Sequence, residues 1–362
     1  MHVLSGNSEK SVGTIAREKA AKEIGDRPLM AVLRGERRDP PPVWLMRQAG
    51  RYLPEYRALR AEKGGFLDLC YDPVAAAEIT LQPVRRFGFD GAILFSDILV
   101  IPHAMGQQLW FETGEGPRLA PLLLDGDFSA LAPDMAKLDP IYETVRRVLA
   151  ELPSATTMLG FAGSPWTVAT YMVAGQGTKD QNPARQLAYR DPAAFQRLID
   201  AIVTATVDYL VGQIDAGVEA VQLFDSWAGS LAPDEFLRWV VAPNRAIVER
   251  LRVRRPDTPI IGFPKGIGEK LPVYARETGV DALGIDETMD PAWADENLPR
   301  GLPVQGNLDP LALLAGGAGL ENAVNRIRNA FSKRPHIFNL GHGIVPETPV
   351  VHVENLLSMV RA

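Results

Sequence analysis

A repeated alternation of short apolar runs with longer amphipathic segments constrains the fold of this chain more than any other feature. Eight such runs occur along the sequence, at 43–46, 92–95, 157–161, 220–224, 260–263, 282–285, 303–305 and 336–340. Short, nearly continuous apolar runs are typical of parallel strands that are buried on both faces. The pattern therefore predicts an α/β protein built around a parallel sheet.

The segments between the runs carry helix signals. Asp72 and Pro73 place a capping residue and a proline ahead of a helix that should end near Gly88. Thr348 and Pro349 are expected to do the same for the last helix. Apolar residues also recur at helical spacing over two further segments, 192–214 and 233–251.

Eight strands alternating with helices predict a single-domain (β/α)8 TIM barrel, and a doubly wound open sheet is the alternative. The positions of polar and glycine residues favour the barrel. Such residues follow every apolar run, at Arg47, Ser96-Asp97, Gly163-Ser164, Asp225-Ser226, Pro264-Lys265, Asp286, Gly306-Asn307 and Gly341-His342. In a barrel these points meet at one end, where the active sites of this fold lie. Strand ends that simply meet water would also be polar, which is enough to account for Lys265 and Asp286.

Composition narrows the class of protein. Apolar residues make up 46% and charged residues 23% of the 362 residues, enough for a sizeable core. The net charge of −6 argues against a nucleic-acid partner and favours a cytoplasmic protein. No apolar run reaches the roughly 18 residues of a membrane span, so no membrane partner is expected. Residues 1–25 predict a flexible extension, disordered or helical, ahead of one domain at 26–362.

Several common chemistries lack their motifs. Cys70 is the single cysteine, which excludes an intrachain disulfide and a cysteine-built zinc site, and its apolar neighbours predict a core side chain. The sequence has no phosphate-binding GxxxxGK loop, no HExxH motif, no GxSxG elbow and no GxGxxG after a strand. The glycine cluster at 316–319 predicts a flexible turn, and five scattered histidines do not predict a metal site. Of the common catalytic mechanisms, acid–base and electrostatic catalysis are the ones that these missing motifs leave open.

An arginine-rich segment directly after the first run is the main candidate for a binding site. Residues 44–57 read WLMRQAGRYLPEYR and place Arg47, Arg51 and Arg57 within eleven residues. Arginine binds carboxylates bidentately, and Gly50 and Pro54 predict a shaped loop rather than a long helix. A surface turn held by ion pairs to Glu55 is the alternative interpretation.

This string resembles a signature of the uroporphyrinogen decarboxylase family. A second signature-like string, GFAGSPWTVATYM, occupies 160–172. Further similar strings follow in the family's order: FSDIL at 95–99, LFDSWAG at 223–229, GNLDP at 306–310 and NLGHG at 339–343. The resemblance covers roughly residues 27–362.

The resemblance implies a somewhat distorted (β/α)8 barrel that works as a homodimer without metal or organic cofactor. It implies a carboxy-lyase that removes the four acetate carboxyl groups of uroporphyrinogen III as CO₂ and leaves coproporphyrinogen III. The catalytic residues implied are Asp97, Arg47 and Arg51. The substrate-binding residues implied are Arg47, Gln48, Ala49, Gly50, Arg51, Asp97, Tyr171, Ser226 and His342.

The residue types suit this chemistry. Arginines can anchor a substrate with eight carboxylates, and Asp97 can stabilise a pyrrole that becomes cationic when it is protonated on carbon. Arginine is a poor proton donor, so Asp97 is an alternative to Arg47 as the general acid. Tyr171 and Ser226 also have purely structural interpretations, as a half-buried tyrosine and a helix cap.

Five more residues are assigned no single role: Phe161, Trp166 and Phe224 are expected to line the cleft or the core, and Asp225 and Asp309 are expected to brace loops.

Two other functions compete with the decarboxylase. Barrel methyltransferases of the same superfamily bind zinc through histidine and cysteine, and this chain offers only Cys70. A non-catalytic tetrapyrrole carrier would use the same basic cleft only for binding. Such a carrier would tolerate Asp97→Asn with a modest loss of affinity, whereas the enzyme would lose most of its rate.

Overall fold

A parallel sheet forms the centre of the molecule. The computed structural model describes residues 27–112, 114–129 and 131–362, and the predicted extension at 1–25 lies outside them. Within the described residues the parallel strands are β1 Gly91–Ile93, β4 Thr157–Gly163, β5 Ala220–Asp225, β6 Ile260–Pro264, β7 Ala282–Gly284, β8 Val304–Leu308 and β9 His336–Leu340. An antiparallel hairpin of β2 Gln108–Glu112 and β3 Gly116–Ala120 follows β1.

The seven strands follow one another in the sheet in the order β1-β4-β5-β6-β7-β8-β9, all parallel. A doubly wound sheet would reverse its strand order at a switch point, and this order does not reverse. The alternative of a doubly wound sheet is therefore wrong, and the observed architecture is a curled parallel sheet with helices between its strands.

The first predicted strand, 43–46, is reduced to one parallel bridge between Val43 and Phe338 of β9. The reason is that side chains accept hydrogen bonds from backbone N–H groups that would otherwise pair with a neighbouring strand. The N–H of Val43 donates to the Asp90 carboxylate, and that of Met46 donates to Asn339 Oδ1. The preceding residues 40–42 are all prolines, which have no N–H. The opposite side of the segment still faces β1, because the Asp90 amide donates to the Val43 carbonyl over 2.9 Å.

Helices connect the strands. In chain order the described α-helices are Pro28–Leu33, Pro54–Lys63, Phe66–Tyr71, Pro73–Phe87, Val100–Ala104, Asp139–Glu151, Pro165–Ala174, Asn182–Arg190, Pro192–Asp215, Pro233–Phe236, Ala242–Arg254, Leu271–Thr278, Pro291–Asn297, Pro310–Ala315, Gly317–Ala330 and Val350–Arg361. A π-helical turn, Leu237–Val241, joins Pro233–Phe236 to Ala242–Arg254. None of the helices in the described part of the chain is long and apolar enough to span a membrane.

The helix signals were mostly correct. Asp72 caps helix Pro73–Phe87, and its carboxylate accepts hydrogen bonds from the amides of Val74 and Ala75. Two predictions were wrong. The last helix begins at Val350 with Pro349, not Thr348, at its N-cap position, and among the described residues the Thr348 hydroxyl has no hydrogen-bond partner. The glycine cluster is not a turn throughout, because helix Gly317–Ala330 begins within it.

The hairpin β2–β3 was not predicted. Its two strands pair from Gln108↔Ala120 to Glu112↔Gly116. Its apolar side chains Leu109 and Leu119 pack on Leu99 in a small cluster separate from the main core. The hairpin therefore stands on the end of the sheet where the strands terminate, above β1.

Candidate active site

A cavity of about 1090 Å³ opens at the carboxyl ends of the strands. Of the predicted site residues, eight line it: Arg47, Ala49, Gly50, Arg51, Asp97, Tyr171, Ser226 and His342. They come from loops and one helix that together span more than 290 positions of the chain, and the parallel sheet brings them to one end. The cavity is large enough for a ligand well above the size of a single sugar or amino acid.

Gln48 is the one predicted site residue that does not border the cavity. Its side chain is fully buried. The Oε1 atom accepts from the Leu45 amide over 3.1 Å, and Nε2 donates to the Gly91 carbonyl over 2.9 Å. Gln48 therefore connects the arginine loop to β1 by hydrogen bonds, and only its neighbours in the loop line the cavity.

Arg47 reaches the cavity from an unusual backbone conformation. Its φ is 61°, in the left-handed region that costs a residue with a side chain about 1–3 kcal/mol. Its side chain passes directly over Gly343, where a Cβ would collide with Arg47 Cδ. A glycine at 343 therefore makes room for the guanidinium, and the surrounding loops hold the strained residue in place.

The arginine loop is not held by ion pairs to Glu55. Both Glu55 oxygens are bound by Arg86, at 2.7 and 3.0 Å. Arg57 instead donates to the carbonyls of Arg51 and Tyr52, which folds the loop back on helix Pro54–Lys63. Within the described residues neither Arg47 nor Arg51 has a carboxylate partner, so both cations are available to a ligand.

Asp97 is half-buried and borders the cavity. Burial raises the pKa of its carboxyl, and the hydrogen bond from the Leu99 amide and the charge of Arg47 oppose that rise only in part. The Leu99 bond is 2.8 Å long. Two other carboxylates border the cavity, but Asp68 binds the Gly65 amide and Glu112 binds Trp110 Nε1.

The rest of the wall is largely aromatic. Phe161 and Phe224 pack edge to face with ring centroids 5.5 Å apart, and both line the cavity. Trp166 is fully buried in the core, where its indole N–H donates to the Trp227 carbonyl. The sequence left open whether these three side chains line the cavity or the core. In the structure Phe161 and Phe224 line the cavity, and Trp166 belongs to the core. Burial raises the pKa of Tyr171, so its phenol is a neutral hydrogen-bond donor in the cavity.

His342 is neutral at physiological pH. Burial, together with the nearby charges of Arg47 and Lys265, lowers the pKa of this imidazole to about 4, although Asp286 acts in the opposite direction. A neutral imidazole can donate one hydrogen bond and accept one. His342 therefore contributes a polar contact rather than a third positive charge.

The sequence missed part of the lining. Helix Pro54–Lys63 contributes Tyr56 and Arg60, and the hairpin contributes a stretch that includes Leu109, Trp110 and Phe111. Arg60 could have been found, because it lies one helical turn after Arg57. The hairpin side chains could not, because nothing local distinguishes an apolar residue of a cavity wall from a core residue. No group of three or more histidine, cysteine, aspartate or glutamate side chains in the described residues could hold a metal ion.

The fold and the cavity together define an α/β protein with an arginine-lined cavity that also contains a half-buried carboxylate. The chain belongs to the uroporphyrinogen decarboxylase family, whose family model matches residues 25–362.

Curated relatives support this membership. The uroporphyrinogen decarboxylase of Rhizorhabdus wittichii is 71% identical, over 94% of this chain and 99% of its own. That of Sphingopyxis alaskensis is 70% identical, over 92% of this chain and 97% of its own. Among solved structures, a methyltransferase from Methanosarcina mazei superposes with a TM-score of 0.75 at 18% identity, covering 92% of this chain and 97% of its own. That likeness concerns the fold alone.

Proposed function

We propose that this protein decarboxylates the four acetate side chains of uroporphyrinogen III and releases coproporphyrinogen III in tetrapyrrole biosynthesis. One observation carries the proposal. A single cavity contains two arginines and a desolvated aspartate, none of which forms an ion pair with another described residue. A polyanionic ligand that becomes cationic at its centre is complementary to both kinds of group.

The arginines anchor the substrate by its carboxylates. Arg47 and Arg51 each present a planar fork of N–H donors that can bind one carboxylate bidentately, at about 1.5–3 kcal/mol for each charged hydrogen bond. Tyr171, Ser226 and His342 supply neutral polar groups in the same cavity. Cations and neutral polar groups at different points of the wall fix the orientation of the macrocycle.

Asp97 acts at the centre of the ring. A proton added to a pyrrole carbon makes that ring cationic, and the ring then accepts the electron pair of the bond to the departing CO₂. The methylene carbon that remains takes up a proton and becomes a methyl group, and the ring carbon loses the proton that it had gained. A negative carboxylate held in a water-poor cavity stabilises the cationic stage, and its orientation costs nothing at the moment of reaction.

We assign the first proton transfer to Asp97 rather than to Arg47. Burial raises the pKa of the Asp97 carboxyl, so this group holds a proton more readily than an ordinary aspartate does. Transfer of that proton leaves a carboxylate beside the pyrrole cation, which is the arrangement that the next step needs. An arginine releases its proton far less readily.

Two further properties are proposed from the family resemblance, and a third group of predictions rests on composition. The curled sheet closes as a distorted (β/α)8 barrel in which segment 43–46 is the first strand, supported by its contacts to both β9 and β1. The protein works as a homodimer. The cytoplasmic location and the absence of nucleic-acid and membrane partners stay predictions from composition.

The test is an anaerobic incubation of the purified protein with freshly reduced uroporphyrinogen III, with neither metal nor cofactor added. The products are oxidised and separated by their number of carboxylates, and Asp97→Asn is assayed alongside. We expect a series from eight carboxylates down to four with the natural protein, and an unchanged octacarboxylate with the variant.

Other outcomes would contradict the proposal in different ways. Unchanged substrate together with tight binding would identify a tetrapyrrole carrier. No binding at all would show that this protein does not act on uroporphyrinogens. Equal turnover by the natural protein and Asp97→Asn would leave a decarboxylase but take away the role of Asp97.

A further inference from the structure

We propose that Asp225 and Thr167 are positioning residues, which hold the Ser226–Trp227 segment of the cavity wall in the conformation that the reaction needs. The proposal rests on the decarboxylase function. It assigns a task to a fully buried carboxylate that touches no part of the cavity and that the mechanism above does not use.

Asp225 is the last residue of β5, and its side chain is fully buried. Its Oδ1 accepts from the Thr167 hydroxyl over 2.5 Å, and its Oδ2 accepts from Asn244 Nδ2 over 3.4 Å. In the part of the chain that the structure describes, no cation pairs with it. A buried charge without a cation is costly, because neutral donors replace only part of its hydration.

Thr167 connects this carboxylate to the wall. Its hydroxyl donates to Asp225 and accepts from the backbone N–H of Trp227 over 3.1 Å. Because a hydroxyl has one proton, donation to Asp225 leaves its lone pairs for the Trp227 amide. The carboxylate therefore fixes the direction of the hydroxyl, and the hydroxyl fixes the peptide between Ser226 and Trp227.

Asn244 limits how the carboxylate can turn. Its Nδ2 also donates to the Val240 carbonyl over 2.8 Å, and its Oδ1 accepts from the Ser164 hydroxyl over 2.9 Å. Both ends of the Asn244 amide are thus assigned to partners on different elements. The second oxygen of Asp225 faces a donor that has no other orientation available.

The segment that this network holds faces the substrate side. Ser226 lines the cavity. The Trp227 carbonyl accepts from the buried Trp166 indole over 3.1 Å, and the Trp227 ring lies 6.5 Å from the ring of Tyr171, centroid to centroid. Both the amide and the carbonyl of Trp227 are therefore bonded to helix Pro165–Ala174, which also carries Tyr171. A shift of this segment would move two groups of the wall together.

The experiment compares three variants on helix Pro165–Ala174. Thr167→Val keeps the shape of the side chain and removes the hydroxyl, whereas Thr167→Ser keeps the hydroxyl. Thr170→Val is the matched control, because Thr170 is equally buried but donates only to the Thr167 carbonyl of its own helix. The readouts are kcat/KM for uroporphyrinogen III, thermal stability, and hydrogen exchange at the Trp227 amide.

We expect Thr167→Val to lower kcat/KM by roughly tenfold to a hundredfold, because small misplacements of a wall residue are enough to misalign the substrate. Its Trp227 amide should exchange at least about tenfold faster, since that N–H has lost its acceptor. Thr167→Ser should restore both values to near those of the natural protein. Thr170→Val should keep kcat/KM and the exchange rate, and it should lose less thermal stability than Thr167→Val, because it leaves no buried carboxylate without its donor.

Two results would overturn the positioning role. One is an equal loss of kcat/KM in Thr167→Val and Thr170→Val, which would mean a general loss of packing. The other is an unchanged Trp227 exchange rate in Thr167→Val. Failure of the proposed function would look different. The natural protein would then leave uroporphyrinogen III unchanged, while the exchange measurement would still report whether Thr167 holds Trp227.

Discussion

Asp97 and Asp225 make an instructive pair, because each lies at the carboxyl end of a strand of the same parallel sheet and each is a carboxyl whose pKa is raised by burial. Their neighbours differ. Asp97 opens onto the cavity and lies close enough to Arg47 to interact with its charge. Asp225 is enclosed on all sides and accepts from two neutral donors, Thr167 and Asn244.

The difference shows that the position of a carboxylate at a strand end does not decide its role. An aspartate that borders a cavity can respond to a ligand's charge, whereas one that faces protein donors can only hold those donors in place. The four predictions below test this contrast, from the largest expected effect to the smallest.

Asp97→Asn should lower kcat by about a hundredfold to a thousandfold, the usual cost of removing one preorganised electrostatic group. Steady-state kinetics with uroporphyrinogen III measure it. Asp309→Asn is the matched control, because Asp309 also follows a strand but only caps helix Pro310–Ala315. An asparagine still caps a helix, so the control should keep its rate. Comparable losses in the two variants would break the contrast between cavity and structural aspartates.

Asp225→Asn should change how stability depends on pH. The pKa of Asp225 is raised from 3.8 to about 7 in the folded protein. Between those values the unfolded chain releases a proton that the folded protein retains, so the free energy of unfolding falls as pH rises. The variant has no titratable group at position 225, so its free energy of unfolding lacks this pH dependence. Relative to the natural protein it should gain a few kcal/mol between about pH 4 and pH 8, since one pKa unit is worth about 1.4 kcal/mol.

Urea unfolding of both proteins across this pH range measures the difference. The buried Tyr274 is the other titratable group that interacts with Asp225, and its pKa is raised well above this window, so it contributes no slope. A difference between the two proteins that stays constant with pH would show that Asp225 is charged in the fold at all these values.

Arg51→Ala should raise KM for uroporphyrinogen III by about tenfold, equivalent to roughly 1.4 kcal/mol, with a smaller effect on kcat. The reason is that an anchor remote from the reacting carbon contributes equally to the bound substrate and the transition state. Arg146→Ala is the control for the loss of one positive charge, because Arg146 pairs with Glu143 on an exposed helix surface. An equal rise in KM in Arg146→Ala would mean that Arg51 acts by long-range attraction of the anionic substrate rather than by direct contact with it.

His342 should stay neutral throughout the working range. Nuclear magnetic resonance should show its ring titrating near pH 4, and the rate should follow no histidine between pH 6 and 8. Lys265→Met should raise this pKa by a fraction of a unit, because it removes one of the two cations that depress it. An unchanged value in that variant would leave burial and Arg47 as the causes.

Much of the fold could be predicted from the sequence. The runs at 157, 220, 260, 282 and 336 begin where strands β4, β5, β6, β7 and β9 begin. Strands buried on both faces must be apolar along their length, so their positions are a local property of the sequence. The cap at Asp72 and the buried Cys70 were predictable for the same reason, because each depends on its immediate neighbours.

The composition of the candidate site was predictable only in part. Arg47, Arg51 and Asp97 stood out because charged residues follow apolar runs and because their strings resemble a known family. Gln48 shares the string but turns into the core, where the Leu45 amide and the Gly91 carbonyl take its amide group. Adjacent residues of a loop can face opposite sides, and that choice depends on partners from other strands.

The sequence alone determined where the strands and most helices form, because hydrophobic periodicity and caps act over a few residues. Tertiary structure decided the rest: that segment 43–46 gives its amides to side chains, that the β2–β3 hairpin lines part of the cavity, and that Asp225 accepts from Thr167 while Asp97 borders the cavity. Each of these depends on contacts between residues dozens to hundreds of positions apart. Such contacts exist only once the sheet has curled and brought the strand ends together.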